Sequence, residues 1–391
     1  MYKIQTLNKI STIGLEIFPR DAYEVASEIL NPDAVLVRSA SMLTMEVPAS
    51  VKAIARAGAG VNNIPVPACS ERGVVVFNTP GANANGVKEL VIAGLLLCSR
   101  RIVPGIIWAR GLVGKGDEVP KLIEKGKSDF VGPEIKGKRL GVVGLGAIGV
   151  MVANDAIELG MQVVGFDPFI SVEAAWGLSR NVKRARALES LLADSDYVTL
   201  HVPLNDQTKG MINKERIAIM KDGARLLNFA RGGLVNNADL REAMKEGKIA
   251  AYVTDFPDEE LLKADNVVAF PHLGASTPEA EDNCAVMAVN QLRDFLENGN
   301  IKNAVNYPDC DMGPAPASAT RIIIANKNVP SMVGQVTTIL AAEKINISDM
   351  INKHRGDLAY NIIDVDGKAG EAIVKKLKGI EGVIMVRAIW S

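Results

Sequence analysis

At 391 residues the chain is longer than a single hydrophobic core usually organises, so two or three domains are expected. Hydrophobic residues make up 48% and charged residues 23%, with a formal net charge of −1, which leaves no global basic field for nucleic acid or an anionic membrane. The four cysteines, Cys69, Cys98, Cys284 and Cys310, are scattered without a CxxC or Cys/His cluster. They therefore read as buried reduced thiols, with no disulfide framework and no metal site. The first residues, MYKIQTLNKI, lack a basic segment followed by an apolar core, and no apolar run reaches about 18 residues, so a cytoplasmic location is the expectation.

In chain order, β-rich runs such as Ala34-Val35-Leu36-Val37 and Val74-Val75-Val76-Phe77 alternate with helical stretches, the pattern of a parallel sheet with crossover helices. A long helical segment, roughly Gly86 to Arg101, leads into the polar, Gly-rich stretch Arg110 to Lys127, which reads as a connection. Then follows GKRLGVVGLGAIGVMVANDAIELGMQVVGFDP: strand, Gly144-Leu145-Gly146-Ala147-Ile148-Gly149, helix, and a second strand ending in Asp167. Gly144 suits the tight turn, Gly146 a close approach to a pyrophosphate, and Gly149 close helix packing, with the helix N-terminus facing the phosphates. Asp167 is placed to accept hydrogen bonds from an adenosine ribose, which favours NAD over NADP because the acid would repel a 2′-phosphate.

The alternation resumes with strands at 197–200, 224–228, 249–254 and 267–270, and a second long helix is expected from Glu279 to Asn298. The stretch Pro308 to Ser318 reads as a linker. Beyond it, strand, helix, strand, strand, helix, strand over Arg321 to Ile389 describes a small βαββαβ module.

Chemistry concentrates at three predicted strand ends. Arg231, in Asn228-Phe229-Ala230-Arg231-Gly232-Gly233, offers a planar, permanently charged donor pair for a substrate carboxylate. An acid cluster, Asp255 with Asp258, Glu259 and Glu260, ends the next strand, and His272 precedes a Gly-rich turn. Oxidising an alcohol needs a base for the hydroxyl proton, and imidazole titrates in the right range. A carboxylate on the far ring nitrogen, from Glu260 or Glu259, would fix the tautomer. His201 reads as structural and His354 as part of a solvated polar turn.

With these residues in view, about the first 310 residues resemble the D-isomer-specific 2-hydroxyacid dehydrogenases. The resemblance rests on Ala57-Gly58-Ala59-Gly60-Val61-Asn62-Asn63-Ile64, the glycine motif, His201-Val202-Pro203-Leu204, Asn228 to Gly233, and Pro271-His272-Leu273-Gly274-Ala275-Ser276-Thr277. It implies two Rossmann-like, doubly wound α/β domains and an Arg/Glu/His catalytic set on Arg231, Glu260 and His272. NAD contacts are implied at Gly144, Gly146, Ala147, Ile148, Gly149, Asp167, Pro203, Phe229, Ala230, Asp255 and Gly274. The family's Asp-Val-Phe-x-x-Glu-Pro wording is Asp255-Phe256-Pro257-Asp258-Glu259-Glu260-Leu261 here, so counting from Asp255 favours Glu260 and anchoring on Phe256-Pro257 favours Glu259.

Arg38, Ser39 and Arg56, after predicted strands of the first domain, suit a phosphate, so the resemblance implies 3-phosphoglycerate as substrate. Glycerate-like or lactate-like acids, or an NAD-sensing corepressor-like scaffold, are the alternatives. The C-terminal module resembles an ACT domain, which implies either a serine effector near Asn328 and Asn346 or a module that only dimerises, and a homodimer or homotetramer. The implied domains are a discontinuous substrate-binding domain over 1–98 and 280–312, an NAD-binding domain over 99–279, a linker over 313–319 and the ACT-like domain over 320–391.

Overall fold

The structure is a computed structural model, and it describes residues 1–317 and 319–390. Ser318, within the expected linker, lies outside the described residues. The chain divides into two compact units, Met1–Asn83 with Pro278–Ser391, and Ala84–Thr277.

Short strands with no polar alternation can persist only where both faces are covered. In the first unit β1 (Tyr2–Leu7), β2 (Tyr23–Ala26), β3 (Ala34–Val37), β4 (Ala53–Arg56) and β5 (Val75–Phe77) form such a sheet, parallel throughout and ordered β2-β1-β3-β4-β5. The helix Pro278–Asn298 supplies one cover: Cys284, Ala288, Leu292 and Phe295 pack with Ile4, Leu36, Ala55 and Phe77.

The second unit holds β6 (Arg139–Val143), β7 (Gln162–Phe166), β8 (Lys183–Arg184), β9 (Tyr197–Leu200), β10 (Ala224–Asn228), β11 (Ile249–Thr254) and β12 (Val267–Ala269). All are parallel, in the order β12-β11-β10-β9-β6-β7-β8. From β6 the chain winds outward through β7 and β8, then returns to the other side of β6 as β9. That reversal is the topological switch point where open α/β sheets bind ligands at their carboxyl edge.

By contacts the long helix Ala84–Arg100 groups with the second unit. One expectation needs correction here. The Arg110 to Lys127 connection is largely helical, with Val119–Gly126 following Ile102–Arg110 and a short turn. Its glycines and charges hid an amphipathic repeat too short to register against solvent-facing lysines.

The C-terminal βαββαβ module comprises β13 (Ala319–Lys327), β14 (Ile347–Arg355), β15 (Leu358–Asp366) and β16 (Val383–Trp390), antiparallel in the order β14-β15-β13-β16. Strand alternation divides its residues. Ile322, Ile324, Ile363 and Val365 pack under the helices Met332–Ala342 and Glu371–Lys378, whereas Ile323, Ala325, Tyr360 and Ile362 join the core of the N-terminal sheet. By contacts the module groups with the first unit. His354 stands exposed on β14, opposite Ala359, and not in a turn. The first part of the expected linker is anchored: Cys310 is fully buried and bridges to Ile301.

No single helix among the described residues is long and apolar enough to cross a membrane.

Candidate active site

The glycine loop follows β6 as its sequence requires. Gly144 has φ +92°, in the left-handed region, and a Cβ there would stand 2.6 Å from the His201 carbonyl oxygen. A Cβ on Gly149 would stand 2.0 Å from the Gly144 carbonyl oxygen, whereas one on Gly146 meets nothing within 4 Å. Two of the glycines are therefore demanded by the protein itself, and the third faces open space where a pyrophosphate would lie. Gly149→Ala should cost about 1 to 3 kcal/mol of stability by overpacking, read from a denaturant midpoint. Gly146→Ala should leave that midpoint unchanged and weaken NADH binding in calorimetry. Equal behaviour of the two variants would contradict this division of roles.

A cavity of about 670 Å³ opens beside the loop, lined by Gly144, Gly146, Asp167, Phe169, Arg186 and Pro203 among others. Asp167 terminates β7, and its Oδ2 accepts from the Leu145 backbone N–H and its Oδ1 from that of Phe169, each at 2.8 Å. Ala147 and Ile148 begin the helix that leaves the loop. His201, at the end of β9, lines the same cavity and its Nε2 lies 2.9 Å from Thr199 Oγ1. Desolvation pushes its pKa down to about 4, so the ring is neutral at physiological pH.

The carboxyl ends of β10, β11 and β12 deliver the second group. Arg231 follows β10 and is exposed, its guanidinium donating to the Ala230 carbonyl at 2.7 Å. Its backbone is held by Asn228, whose Oδ1 accepts from the N–H groups of Ala230 and Arg231 at 3.2 and 3.3 Å and whose Nδ2 donates to the Arg231 carbonyl at 2.8 Å. Sequence reasoning passed over Asn228. A polar residue closing an otherwise apolar strand three positions before a functional Arg was the available signal.

Asp255 follows β11. It is 4% exposed, and neither carboxylate oxygen has a hydrogen-bond partner among the described residues. Burial raises its pKa, an effect partly offset by His272 and Arg231, whose positive charges favour the ionised carboxylate. The glycine turn comes close as well, since a Cβ on Gly274 would stand 3.8 Å from Asp255 Oδ2. A buried, unpartnered carboxylate fits a ligand that donates hydrogen bonds, such as the carboxamide of a nicotinamide.

His272 is exposed after β12, with its ring centroid 4.7 Å from that of Phe256. Phe229 is buried against Phe270, their centroids 5.9 Å apart, which backs this edge of the sheet. The expected Glu260–His272 pair is not formed. Glu260 lies in the short helix Glu259–Leu262 and is exposed, with Oε2 held by Arg241 at 2.7 Å and Oε1 by Lys263 at 2.6 Å. Glu259 is exposed too, 3.5 Å from Lys263. Both acids lie in the short helix Glu259–Leu262 that follows β11, and neighbouring cations draw their carboxylates.

In the first unit Arg38 and Arg56 come together at the carboxyl ends of β3 and β4. Arg56 Nε donates to the Arg38 carbonyl at 3.0 Å, and its other arm to the Gly60 carbonyl. Arg38 pairs with Glu281 at 2.5 Å, and Ser39 is exposed. In the C-terminal module Asn328 Nδ2 donates to the Gly356 carbonyl at 3.1 Å and Asn346 Nδ2 to Asp366 Oδ2 at 2.7 Å, both at the surface.

Residues 97–274 match the D-isomer specific 2-hydroxyacid dehydrogenase, NAD binding domain, so the second unit binds NAD. The chain is 38% identical over 301 residues to the D-3-phosphoglycerate dehydrogenase of Archaeoglobus fulgidus, an alignment covering 74% of this chain and 54% of that protein. It is 30% identical over 409 residues to the D-3-phosphoglycerate dehydrogenase of Haemophilus influenzae, covering 99% of this chain and 94% of the relative. The chain thus spans little more than half of the first relative and nearly all of the second. Among solved structures, the NAD⁺-bound 3-phosphoglycerate dehydrogenase of Entamoeba histolytica superposes with a TM-score of 0.60 at 28% identity, covering 78% of this chain and 98% of that one. The chain belongs to the D-isomer specific 2-hydroxyacid dehydrogenases.

Proposed function

We propose that this protein oxidises D-3-phosphoglycerate to 3-phosphohydroxypyruvate with NAD, the entry step of phosphorylated serine synthesis. The observation that carries the reading is the meeting of Arg231, Asp255 and His272 at the ends of three adjacent strands, on the carboxyl edge that also bears the glycine loop. The names of the two relatives support the substrate.

In this scheme NAD supplies the hydride acceptor. Arg231 holds the substrate carboxylate with two parallel N–H donors and polarises the neighbouring C2 oxygen. His272 takes the C2 hydroxyl proton, and Asp255 accepts from the carboxamide. Glu260 stabilises the imidazolium. Its present partners are exposed ion pairs, which contribute little in water, so turning the carboxylate from Lys263 to His272 is cheap. Hydrogen bonds of a catalytic set commonly tighten only when substrate binds. Arg38, Ser39 and Arg56 bind the phosphate.

Association of copies and a serine effector belong to the same proposal. The helix Ile102–Arg110 leaves Ile106 and Ile107 50% and 67% exposed, and Val131 nearby is 75% exposed, an apolar surface suited to a second copy. Asn328 and Asn346 would bind serine where two modules pair. A cytoplasmic location completes the reading.

The test is NADH formation with 3-phosphoglycerate, glycerate and lactate at matched concentrations, with and without millimolar serine. The expected result is preference for the phosphorylated acid, reduced by serine. No preference moves the protein to a general 2-hydroxyacid dehydrogenase, and NAD binding without any turnover points to a non-enzymatic sensor.

A further inference from the structure

We infer that the cofactor site also accepts NADP(H), with Arg186 holding the phosphate on the adenosine ribose. The inference rests on the dehydrogenase reading and deepens it at one residue. Asp167 alone argues for NAD, because a carboxylate at the ribose repels a 2′-phosphate. The sheet places a cation directly beside it.

β7 and β8 run parallel, with Val164 opposite Lys183 and Gly165 opposite Arg184. The ladder continues past the last pair, since the Ala185 N–H donates to the Gly165 carbonyl at 2.8 Å. Two residues beyond the Gly165–Arg184 pair, the same register sets Arg186 next to Asp167 at the carboxyl edge. Both side chains line the 670 Å³ cavity.

The charges of that cavity sort themselves. Its lining holds two cations, Arg186 and Arg216, and two carboxylates, Asp167 and Glu189. Arg216 is committed: its Nη2 lies 3.1 Å from Glu189 Oε1, and its other arm donates to the Met211 carbonyl at 2.9 Å. Arg186 is exposed and makes no hydrogen bond or ion pair among the described residues. Asp167, by contrast, already accepts one backbone N–H on each oxygen, from Leu145 in the glycine loop and from Phe169. The cavity therefore offers one uncommitted guanidinium beside a partly satisfied acid. A guanidinium matches phosphate oxygens with two parallel donors, and a 2′-phosphate adds the charge it lacks. Lys183 and Arg184, exposed on β8, reinforce the positive potential at this end of the sheet.

Calorimetric titration with NADH and with NADPH tests this without turnover, on the wild type, Arg186→Ala and Arg186→Lys. Wild type should bind NADPH with a Kd within about tenfold of that for NADH, and Arg186→Ala should raise the NADPH/NADH ratio of Kd values by about tenfold or more. Arg186→Lys should fall between, since it keeps the charge and loses the fork. A wild-type ratio well above tenfold, or a rise well below tenfold in Arg186→Ala, overturns the inference. If NADH itself fails to bind, the dehydrogenase reading fails, and this inference with it.

Discussion

His272→Asn is expected to lower kcat by about 100- to 10,000-fold, the range that positioned proton transfer contributes. The imidazole stands exposed at the end of β12, braced by Phe256, so an amide in its place disturbs no core packing and the protein should fold as before. What it loses is the imidazole that the scheme uses as base; His201, its pKa pushed down to about 4 by desolvation, is a much weaker base and lines the cofactor cavity. NADH affinity, measured separately by calorimetry, should survive, and near wild-type turnover would end the scheme. Glu260→Gln should lower kcat less and shift its pH profile to lower pH, because an imidazolium without its carboxylate loses its proton more readily. If only Glu259→Gln produced that shift, the count from Asp255 would be off by one place.

The second large effect concerns stability. Arg321 is 1% exposed and lies at the seam between the C-terminal sheet and the N-terminal core. Its Nε and Nη2 donate to Asp364 at 2.7 and 2.8 Å, while the remaining N–H groups reach the carbonyls of Asn298, Gly313 and Pro314 at 2.9, 2.7 and 3.3 Å. Every donor of the guanidinium is used. Asp364→Ala would strand that charge in a dry site, and losing one partner of a buried pair costs about 3 to 5 kcal/mol. A drop of that size is expected in the denaturant stability of the first unit. Asp364→Asn, which keeps an acceptor but no charge, should fall between, and a loss below about 1 kcal/mol for Asp364→Ala would mean the seam is solvated.

The seam has further ties. Tyr360 donates to the Gly299 carbonyl at 2.8 Å, and Arg387 lies 4.5 Å over the Phe295 ring. An effector on the module would therefore act on a sheet already joined to the end of the helix Pro278–Asn298.

Much of this was legible in the chain alone. Strands at Ala34–Val37, Tyr197–Leu200, Ala224–Asn228 and Ile249–Thr254 lie where β-rich apolar runs sit between turn residues, because a strand buried on both faces leaves an uninterrupted apolar signature. The βαββαβ order of the C-terminal module was equally clear, since each element there has its own period. The glycine loop was readable because its requirements are local: a positive φ at Gly144 and a helix start pressed onto its carbonyl at Gly149 admit few other residues.

What the sequence could not decide is whatever depends on which side chains meet. That the module's open face is covered by the N-terminal core follows from Ile323, Ala325, Tyr360 and Ile362 finding partners far away in the chain. That Glu260 turns to Arg241 and Lys263, that Asp255 is buried without a partner, and that Arg186 stands beside Asp167 are matters of rotamer and strand register. Periodicity and spacing report on a residue's own neighbourhood along the chain, whereas charge pairing is settled by distances across the fold, over which a Coulomb interaction is strong only when the partners are brought close and out of water.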